Sequence, residues 1–206
     1  MNTTQQAHRA FLNRYYGISR YFYDVSRKYY LFGRDRAIRD LLQEEWDSLV
    51  EVGPGTGRNL RMLHEARPSA SLGGVEASDS MLDHAQAKCP WAKLVQGFAE
   101  EADFEAVLGK KPDRILFSYC LSMVQDPVAA LVNARKSVAP GGEVMVVDFA
   151  DLEGLPRMAK KGLRAWLNTF HVEPLDVRLL EDQGATVRYG PGHYYLIGRM
   201  KALPQD

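Results

Sequence analysis

The sequence predicts an α/β fold in which helices cover both faces of a mostly parallel, seven-stranded sheet. Short apolar segments typical of buried strands alternate with helix-like segments from residue 49 onwards. The first of these strands runs directly into a turn that contains three glycines. The chain has 206 residues, 46% of them hydrophobic, which suffices for one sizeable core but not comfortably for two.

The glycine turn lies within residues 49–59, which read L-V-E-V-G-P-G-T-G-R-N. Glycine has no Cβ, so such a turn lets backbone N–H groups approach a ligand closely. A phosphate loop would need a lysine soon after Gly57, and a nicotinamide fingerprint would need glycine where Arg58 stands. The acid-plus-G-x-G-x-G turn of S-adenosylmethionine-dependent methyltransferases fits without adjustment. A glycine-rich turn without a ligand is the alternative.

S-adenosylmethionine carries no phosphate, so its loop must hold an amino acid with a cationic amine, a carboxylate and a sulfonium. Glu51, just before the turn, is suited to the amine, directly or through water. The glycine amides allow close approach of the carboxypropyl chain. The predicted contacts of this turn are Glu51, Gly53, Pro54, Gly55, Gly57 and Asn59.

An acidic residue closes the second predicted strand, which spans residues 71–76. In a doubly wound sheet an acid at this position, about 20 residues after the glycine turn, binds a ribose. Glu76 therefore predicts hydrogen bonds to both ribose hydroxyls. Asp79 competes for this role, but the first turn of the next helix is a better place for it. Met81 and Leu82 are expected to present apolar surface to the adenine, and Ala77 and Met81 belong to the predicted cofactor-binding residues.

The third and fourth predicted strands, residues 93–96 and 114–118, bring further residues to the same edge. Many methyltransferases have an aspartate at the position of Phe98 to bind the adenine amine. An aromatic residue there predicts recognition by stacking and backbone contacts. A P-G-G turn precedes the fifth strand, residues 143–148. The remaining predicted cofactor contacts are Gly97, Phe98, Ala99, Ser118 and Tyr119.

Composition excludes several protein classes. No apolar run approaches the roughly 18 residues that a membrane-spanning helix needs, and the N-terminus lacks the apolar core of a secretion signal. Two cysteines are too few for a disulfide framework, and no metal-ligand spacing surrounds them. We therefore expect a cytoplasmic protein without a metal.

The net charge of zero hides an asymmetry, since residues 1–39 carry +6 and the remainder −6. These residues also hold six of the ten tyrosines. Residues 1–40 are therefore predicted to be an amphipathic helical segment, and residues 41–206 the catalytic domain. The segment suits an anionic membrane surface or a lid over the cofactor pocket. On a helix its apolar stripe comprises Phe11, Tyr15, Ile18, Phe22, Val25 and Tyr29.

Three segments resemble the bacterial betaine-lipid (diacylglyceryl-homoserine) N-methyltransferases. They are residues 14–36, which begin R-Y-Y-G-I-S-R-Y-F-Y-D, residues 118–123, S-Y-C-L-S-M, and residues 170–174, F-H-V-E-P. The resemblance implies the Rossmann-like class I methyltransferase sheet, ending in an antiparallel hairpin across residues 190–192. It implies three methylations of the amine of diacylglyceryl-homoserine, giving the trimethylated betaine lipid and S-adenosylhomocysteine. Phosphatidylethanolamine N-methyltransferases share this fold and cofactor, so phosphatidylethanolamine is an alternative substrate.

The predicted partners are a lipid headgroup amine and, through the basic aromatic N-terminal segment, an anionic membrane surface on the inner face of the cell membrane. Tyr23 and Tyr119 are predicted to line the reaction centre, where a hydroxyl could accept a proton or orient the amine. The predicted substrate-binding residues are Tyr15, Tyr30, Arg34 and His171. The sequence does not indicate the oligomeric state.

Other functions stay open at this stage. A soluble small-molecule N- or O-methyltransferase would use the basic segment only as a lid. A cofactor-binding protein without activity is a further class. A nucleic-acid partner is not expected, because S-Y-C-L after the fourth strand lacks the N-P-P-Y-type clamp of base amino-methylating enzymes.

Overall fold

The computed structural model describes residues 31–168 and 174–204, which alternate between helices and strands. The strands are β1 (Ser48–Val52), β2 (Ser71–Glu76), β3 (Lys93–Gln96), β4 (Arg114–Ser118), β5 (Glu143–Phe149), β6 (Thr186–Tyr189) and β7 (Tyr195–Lys201). The helices are α1 (Arg34–Leu42), α2 (Arg58–Ala66), α3 (Asp79–Lys88), α4 (Phe104–Leu108), α5 (Pro127–Ser137), α6 (Arg157–Asn168) and α7 (Val177–Glu181). Short 3-10 turns lie at Leu121–Met123 and Pro191–His193.

The seven strands form one sheet in the order β3-β2-β1-β4-β5-β7-β6. The first five strands are parallel, and β7 pairs antiparallel with both β5 and β6. The predicted α/β class, strand number and C-terminal antiparallel hairpin are therefore confirmed. The second, third and fourth strands have the predicted bounds, and β5 is one residue longer than predicted.

Two apolar clusters cover the two faces of the sheet. One contains Phe104, Ile115 and Phe117, and the other contains Ile38, Leu60 and Leu116. All residues of β1 and β5 are buried, as expected of central strands that have helices on both sides. The sheet is consequently a rigid support for the loops at its ends.

Helix α1 crosses the expected domain boundary after residue 40. Its residues Ala37, Ile38 and Leu41 are buried, and they join Leu49 and Leu60 in one cluster. The last residues of the predicted N-terminal segment thus pack into the core of the sheet domain. Tyr15, Tyr23, Tyr30 and His171, together with the predicted amphipathic stripe, lie outside the described residues.

The loops that follow β1 to β4 meet at the carboxyl edge of the sheet. Strand β1 has β2 on one side and β4 on the other, so the strand order reverses there. Doubly wound sheets bind ligands in the crevice at such a switch point. Among the described helices, none is long and apolar enough to cross a membrane.

Candidate active site

The turn after β1 has the backbone that its glycines predict. Gly53, Gly55 and Gly57 have φ angles of 61°, 56° and 74°, in the left-handed region that favours glycine. A Cβ at Gly57 would lie 2.6 Å from the Sγ of Cys89, whereas one at Gly55 would meet no atom nearer than 4.0 Å. The absence of a side chain at Gly57 therefore permits the turn to pack against α3. At Gly55 it leaves open space in which a ligand can approach the backbone of the turn.

Glu76 ties this turn to the end of β2. Its Oε2 accepts a hydrogen bond from the N–H of Gly55 at 3.0 Å, and its Oε1 accepts one from the N–H of Ser78 at 3.0 Å. Each carboxylate oxygen can accept more than one hydrogen bond. The carboxylate thus positions the glycine turn, and its predicted contact with a ribose stays a prediction.

A cleft opens beside the glycine turn, and we call it the adenosine cleft. It is bounded by the ends of β1, β2, β3 and β4, as the switch point predicts. The predicted cofactor residues that line it are Gly53, Gly55, Glu76, Ala77, Met81, Gly97, Phe98, Ala99, Ser118 and Tyr119. The structure therefore brings most of the predicted cofactor set together.

A smaller pocket adjoins this cleft, and we call it the tail pocket. Gly53, Gly55 and Ser118 line both spaces, so the two are continuous at the glycine turn. The remaining predicted cofactor residues, Glu51, Pro54 and Asn59, line the tail pocket together with Arg34. Gly57, which packs against α3, lines neither space.

Four buried polar atoms of the tail pocket have no hydrogen-bond partner within residues 31–168 and 174–204. They are the Nε of Arg34, the Oε2 of Glu51, the Oδ1 of Asn59 and the Oγ of Ser118. Glu51 and Asn59 are linked by one bond, from Nδ2 of Asn59 to Oε1 of Glu51 at 2.6 Å. Buried polar groups normally have partners, so four such atoms around one pocket indicate a polar ligand.

The charges of the tail pocket are also weakly compensated. Glu51 is 1% exposed, and burial raises the pKa of its carboxyl to about 8, although the bond from Asn59 and the charge of Arg34 oppose this rise. Burial lowers the pKa of Arg34, as does the charge of Arg58. Nε of Arg34 lies 3.9 Å from Oδ1 of Asp35. A zwitterion would supply a cation to Glu51 and an anion to Arg34.

These residues fit the amino-acid end of S-adenosylmethionine. Glu51, Asn59 and Ser118 offer acceptors for an α-ammonium group, and Arg34 offers a donor for an α-carboxylate. The apolar and aromatic lining of the adjoining cleft suits a purine. Arg34, which the sequence placed at the substrate, lies where it can contact either the cofactor carboxylate or a substrate.

Tyr119 has a strained backbone, with φ at 54°, and a buried side chain. Its hydroxyl donates a hydrogen bond to the carbonyl of Phe32, and its ring packs edge-on against Phe149 with centroids 4.7 Å apart. Burial, followed by the charge of Asp148, raises the pKa of this hydroxyl well above its ordinary value. Tyrosine is ordinarily protonated near neutral pH, and the raised pKa makes the ionised form of Tyr119 still rarer, which favours an orienting role over acceptance of a proton.

The sequence did not assign several residues of the adenosine cleft to the site, namely Glu100, Cys120, Met123, Val124 and Gln125. Oε1 of Glu100 accepts from the N–H of Asp126 at 3.1 Å and joins the loops after β3 and β4. Asp126 also caps α5 by accepting from the N–H of Ala129 at 2.9 Å. The Asp126-Pro127 pair is a helix-start signal that could have located this wall of the cleft.

Similarity to known proteins agrees with this geometry. The family described as "Methyltransferase domain" matches residues 23–187, so the chain belongs to this family. Its fold is the class I methyltransferase fold, and its cofactor is S-adenosylmethionine. Within the described part of the chain, no group of three or more His, Cys, Asp or Glu side chains could hold a metal ion.

The chain is 32% identical over 136 residues to the dTDP-3-amino-3,4,6-trideoxy-alpha-D-glucopyranose N,N-dimethyltransferase of Streptomyces venezuelae, covering 60% of this chain and 55% of that protein. It is 29% identical over 104 residues to the demethylmenaquinone methyltransferase of Tropheryma whipplei, covering 50% and 42%. The chain thus spans about half the length of the curated relatives it matches.

Among solved structures, the plantazolicin methyltransferase BamL in complex with S-adenosylhomocysteine superposes with a TM-score of 0.64. The two are 17% identical, and the match covers 91% of this chain and 78% of that one. At this identity the likeness concerns the fold. The activities named for these proteins differ in substrate, so the family identifies the donor and leaves the acceptor to be argued separately.

Proposed function

We propose that this protein is an S-adenosylmethionine-dependent N-methyltransferase that trimethylates the amine of diacylglyceryl-homoserine to form the betaine lipid. The observation that carries methyl transfer is the convergence of four unpartnered polar atoms in the tail pocket, next to the adenosine cleft. The lipid substrate is supported by the resemblance of residues 14–36, 118–123 and 170–174 to the betaine-lipid enzymes. The Streptomyces venezuelae relative, an N,N-dimethyltransferase, supports an amine acceptor.

A second cavity of about 570 Å³ lies beside the tail pocket and suits such a headgroup. Arg34 lines both spaces, and Arg36 and Arg39 add further cations to the cavity. Phe32, Tyr194 and Tyr195 supply its aromatic wall. Guanidinium groups can bind the homoserine carboxylate, and aromatic faces can stabilise a methylated ammonium by roughly 0.5–2 kcal/mol each.

Four rings form a contiguous aromatic cluster at this edge, namely Phe32, Tyr119, Phe149 and Tyr194. The ring centroids of Phe32 and Tyr194 are 5.3 Å apart, and those of Phe149 and Tyr194 are 5.7 Å apart. As methylation removes the N–H donors of the amine, its recognition must shift from hydrogen bonds to such ring faces. The cluster therefore suits a substrate that is methylated more than once.

The bound cofactor supplies an electrophilic methyl group, and the protein's own residues position the acceptor. Methyl transfer needs a neutral amine held in line with the methyl carbon. An alkyl ammonium ordinarily titrates near pH 10, and transfer into a poorly hydrated cleft lowers its pKa. The proton can then leave to solvent before attack. In this proposal Tyr119 orients the lone pair, which its raised pKa supports, and Tyr23 is its predicted partner.

In this proposal residues 1–40 serve as the lid and as a contact with the membrane, and the protein works at the inner face of the cell membrane. Tyr15, Tyr30 and His171 are the further substrate residues proposed from the sequence. The basic charge of residues 1–39 supports an anionic surface as the partner.

The deciding experiment incubates the protein with labelled S-adenosylmethionine and detergent-dispersed diacylglyceryl-homoserine or phosphatidylethanolamine. We expect label in mono-, di- and trimethylated homoserine lipid, resolved by mass spectrometry. If label appears only in phosphatidylethanolamine, that lipid is the substrate and the proposal of amine methylation still holds. No label in either lipid, with intact binding of S-adenosylhomocysteine in calorimetry, would overturn the lipid-amine proposal.

A small-molecule amine is the second candidate acceptor. The 32% identity with a nucleotide-sugar N,N-dimethyltransferase favours it. A water-soluble homoserine amide, tested beside the lipid, separates the two. If kcat/KM for the soluble amine equals that for the dispersed lipid, the acyl chains are not recognised.

A further inference from the structure

Helix α6 is the most cationic helix of the described chain, and its sequence is R-M-A-K-K-G-L-R-A-W-L-N. It has four basic residues and no acidic one. Met158 on this helix is 80% exposed, and Trp166 is 39% exposed. A single exposed apolar side chain is ordinary, but a contiguous apolar patch bordered by polar residues indicates a contact surface.

Among the described residues, a narrow stripe of α6 packs on the apolar core. Leu167 is buried, and Leu163 packs partly against the same cluster. At about 100° per residue, the arc next to this stripe is apolar, and the arc beyond it is basic. The exposed apolar arc comprises Met158, Ala159, Gly162, Ala165 and Trp166, and the basic arc comprises Arg157, Lys161 and Arg164.

The ion pairs of the helix do not neutralise this surface. Lys160 pairs with Glu153, and Arg164 donates from Nη2 to the carbonyl of Asp151 at 3.2 Å. For Arg157 and Lys161, the part of the chain that the structure describes provides no ion pair. An exposed apolar arc beside unneutralised cations is the pattern of a helix that lies in the interface of an anionic bilayer.

The position of α6 places this surface at the active-site edge of the sheet. The helix follows the carboxyl end of β5, and the connecting loop is fixed by bonds from the N–H of Ala150 to the carbonyl of Tyr194 and from the N–H of Leu152 to that of His193. Tyr194 lines the second cavity. A bilayer against α6 would therefore lie on the side where a headgroup must enter.

We propose that α6 is a membrane-docking helix, with Met158 and Trp166 inserted among the headgroups and Arg157, Lys161 and Arg164 on anionic lipid phosphates. This rests on the proposed function insofar as a lipid substrate requires the protein to reach a bilayer. A nucleic acid or a second copy of the protein could bind the basic side chains, but neither would account as well for the exposed apolar side chain of Met158.

The test uses the full chain and sedimentation with vesicles of phosphatidylcholine containing phosphatidylglycerol. We compare the double variant Arg157→Glu/Lys161→Glu with Lys110→Glu/Lys111→Glu, a matched charge change in the loop before β4, at the opposite edge. The α6 pair should weaken partitioning at least about tenfold, since each cation near an anionic surface contributes to binding, whereas the control pair should change it less than about twofold. Met158→Ser should weaken binding, and Val95→Ser on the exposed edge strand should not.

Tryptophan quenching by brominated lipid gives a second readout. The three tryptophans are Trp46, which is buried, Trp91 and Trp166. Trp91→Phe should retain quenching and Trp166→Phe should lose it. The proposal is overturned if the protein stays in the supernatant at low salt, if both charge pairs weaken binding equally, or if Trp166 is not quenched.

The outcomes also separate this proposal from the proposed function. Methylation of detergent-dispersed lipid without vesicle binding would refute membrane docking by α6 and retain the enzyme. Vesicle binding that needs α6, without methylation of any amine lipid, would support membrane docking by α6 and refute the lipid-amine methyltransferase. Vesicle binding that persists in the α6 variants would assign docking to another surface and refute the proposal.

Discussion

The two edges of the sheet use buried acids in opposite ways. At the carboxyl edge, Glu51 accepts a hydrogen bond from Asn59 through Oε1, and its Oε2, in the lining of the tail pocket, has no partner among the described residues. At the amino edge, Glu143 accepts from Nε of Arg199 at 2.7 Å and pairs with Lys201 at 3.2 Å. Both acids are almost fully buried.

The amino edge is a closed network. Arg199 also pairs with Glu44, and Glu44 pairs with Arg114 at 3.1 Å. Burial alone would lower the pKa of Arg199, but its hydrogen bonds to Glu143 and Glu44 outweigh burial and raise it. A hydrogen-bond network in which every group has a partner stabilises the fold and leaves no group for a ligand to bind. A network with unpaired groups lowers the stability of the free protein, and a ligand that supplies the missing partners restores that stability.

Breaking the closed network should give the largest effect on stability. Arg199→Met leaves Glu143 buried without its guanidinium partner, and loss of one member of a buried ion pair costs about 3 kcal/mol of unfolding free energy. Urea unfolding measures this change. Calorimetry should give an affinity for S-adenosylhomocysteine within about twofold of wild type. A large loss of affinity would mean that the two edges are coupled.

Glu51→Gln should produce the reverse pattern. Glutamine keeps the shape but cannot offer a carboxylate to the α-ammonium group, so binding of S-adenosylhomocysteine at pH 8.5 should weaken by about 2 kcal/mol, roughly thirtyfold. The unfolding free energy should stay equal or rise, since a desolvated carboxylate is removed. Glu143→Gln is the matched control, and it should lower stability and spare affinity. If both variants lose affinity equally, Glu51 and Glu143 do not differ in their roles as a ligand-binding and a structural acid.

The raised pKa of Glu51 predicts that the affinity for S-adenosylhomocysteine changes about tenfold with pH. Its ordinary value is 4.5 and its folded value is about 8, so the folded protein holds this proton more tightly than the unfolded chain. The stability that this gives is complete below pH 4.5 and is lost as the pH rises through 8. Binding of the α-ammonium group needs the ionised form, so affinity should rise about tenfold between pH 7 and 8.5.

Calorimetry of S-adenosylhomocysteine binding in buffers of different ionisation enthalpy should therefore detect release of one proton near pH 7. Glu51→Gln should abolish that release. A proton release that survives in this variant would assign the titration to another group.

Tyr119→Phe should have the smallest effect of the four. It removes the hydroxyl bond to the carbonyl of Phe32, which is worth about 1 kcal/mol, so kcat should fall by about tenfold or less. The pH–rate profile should keep its basic limb. Tyr189→Phe, at a second tyrosine whose pKa is raised by burial, serves as the control. A thousandfold loss of kcat with an altered limb would show that Tyr119 accepts the proton.

Local patterns were enough to predict much of the site. The glycine turn, Glu76 and the strands before them lie where spacing placed them, because a parallel sheet aligns the carboxyl ends of its strands. The contacts of Glu100 and Arg34 were harder to predict. Glu100 binds the N–H of Asp126, and Arg34 reaches the tail pocket from a helix that precedes β1. Both depend on loops that meet only after the sheet has formed.

The sequence by itself determined the α/β class, the cofactor class and the residues around the glycine turn, because these follow from periodicity and from short spacings along the chain. Only the tertiary structure decided that Glu51 keeps a free oxygen while Glu143 does not, and that the hydroxyl of Tyr119 is buried and donates to the carbonyl of Phe32. Which hydrogen-bond partners a buried group has, and how far it is shielded from water, depend on residues that are far apart in sequence. A local sequence pattern does not contain this information.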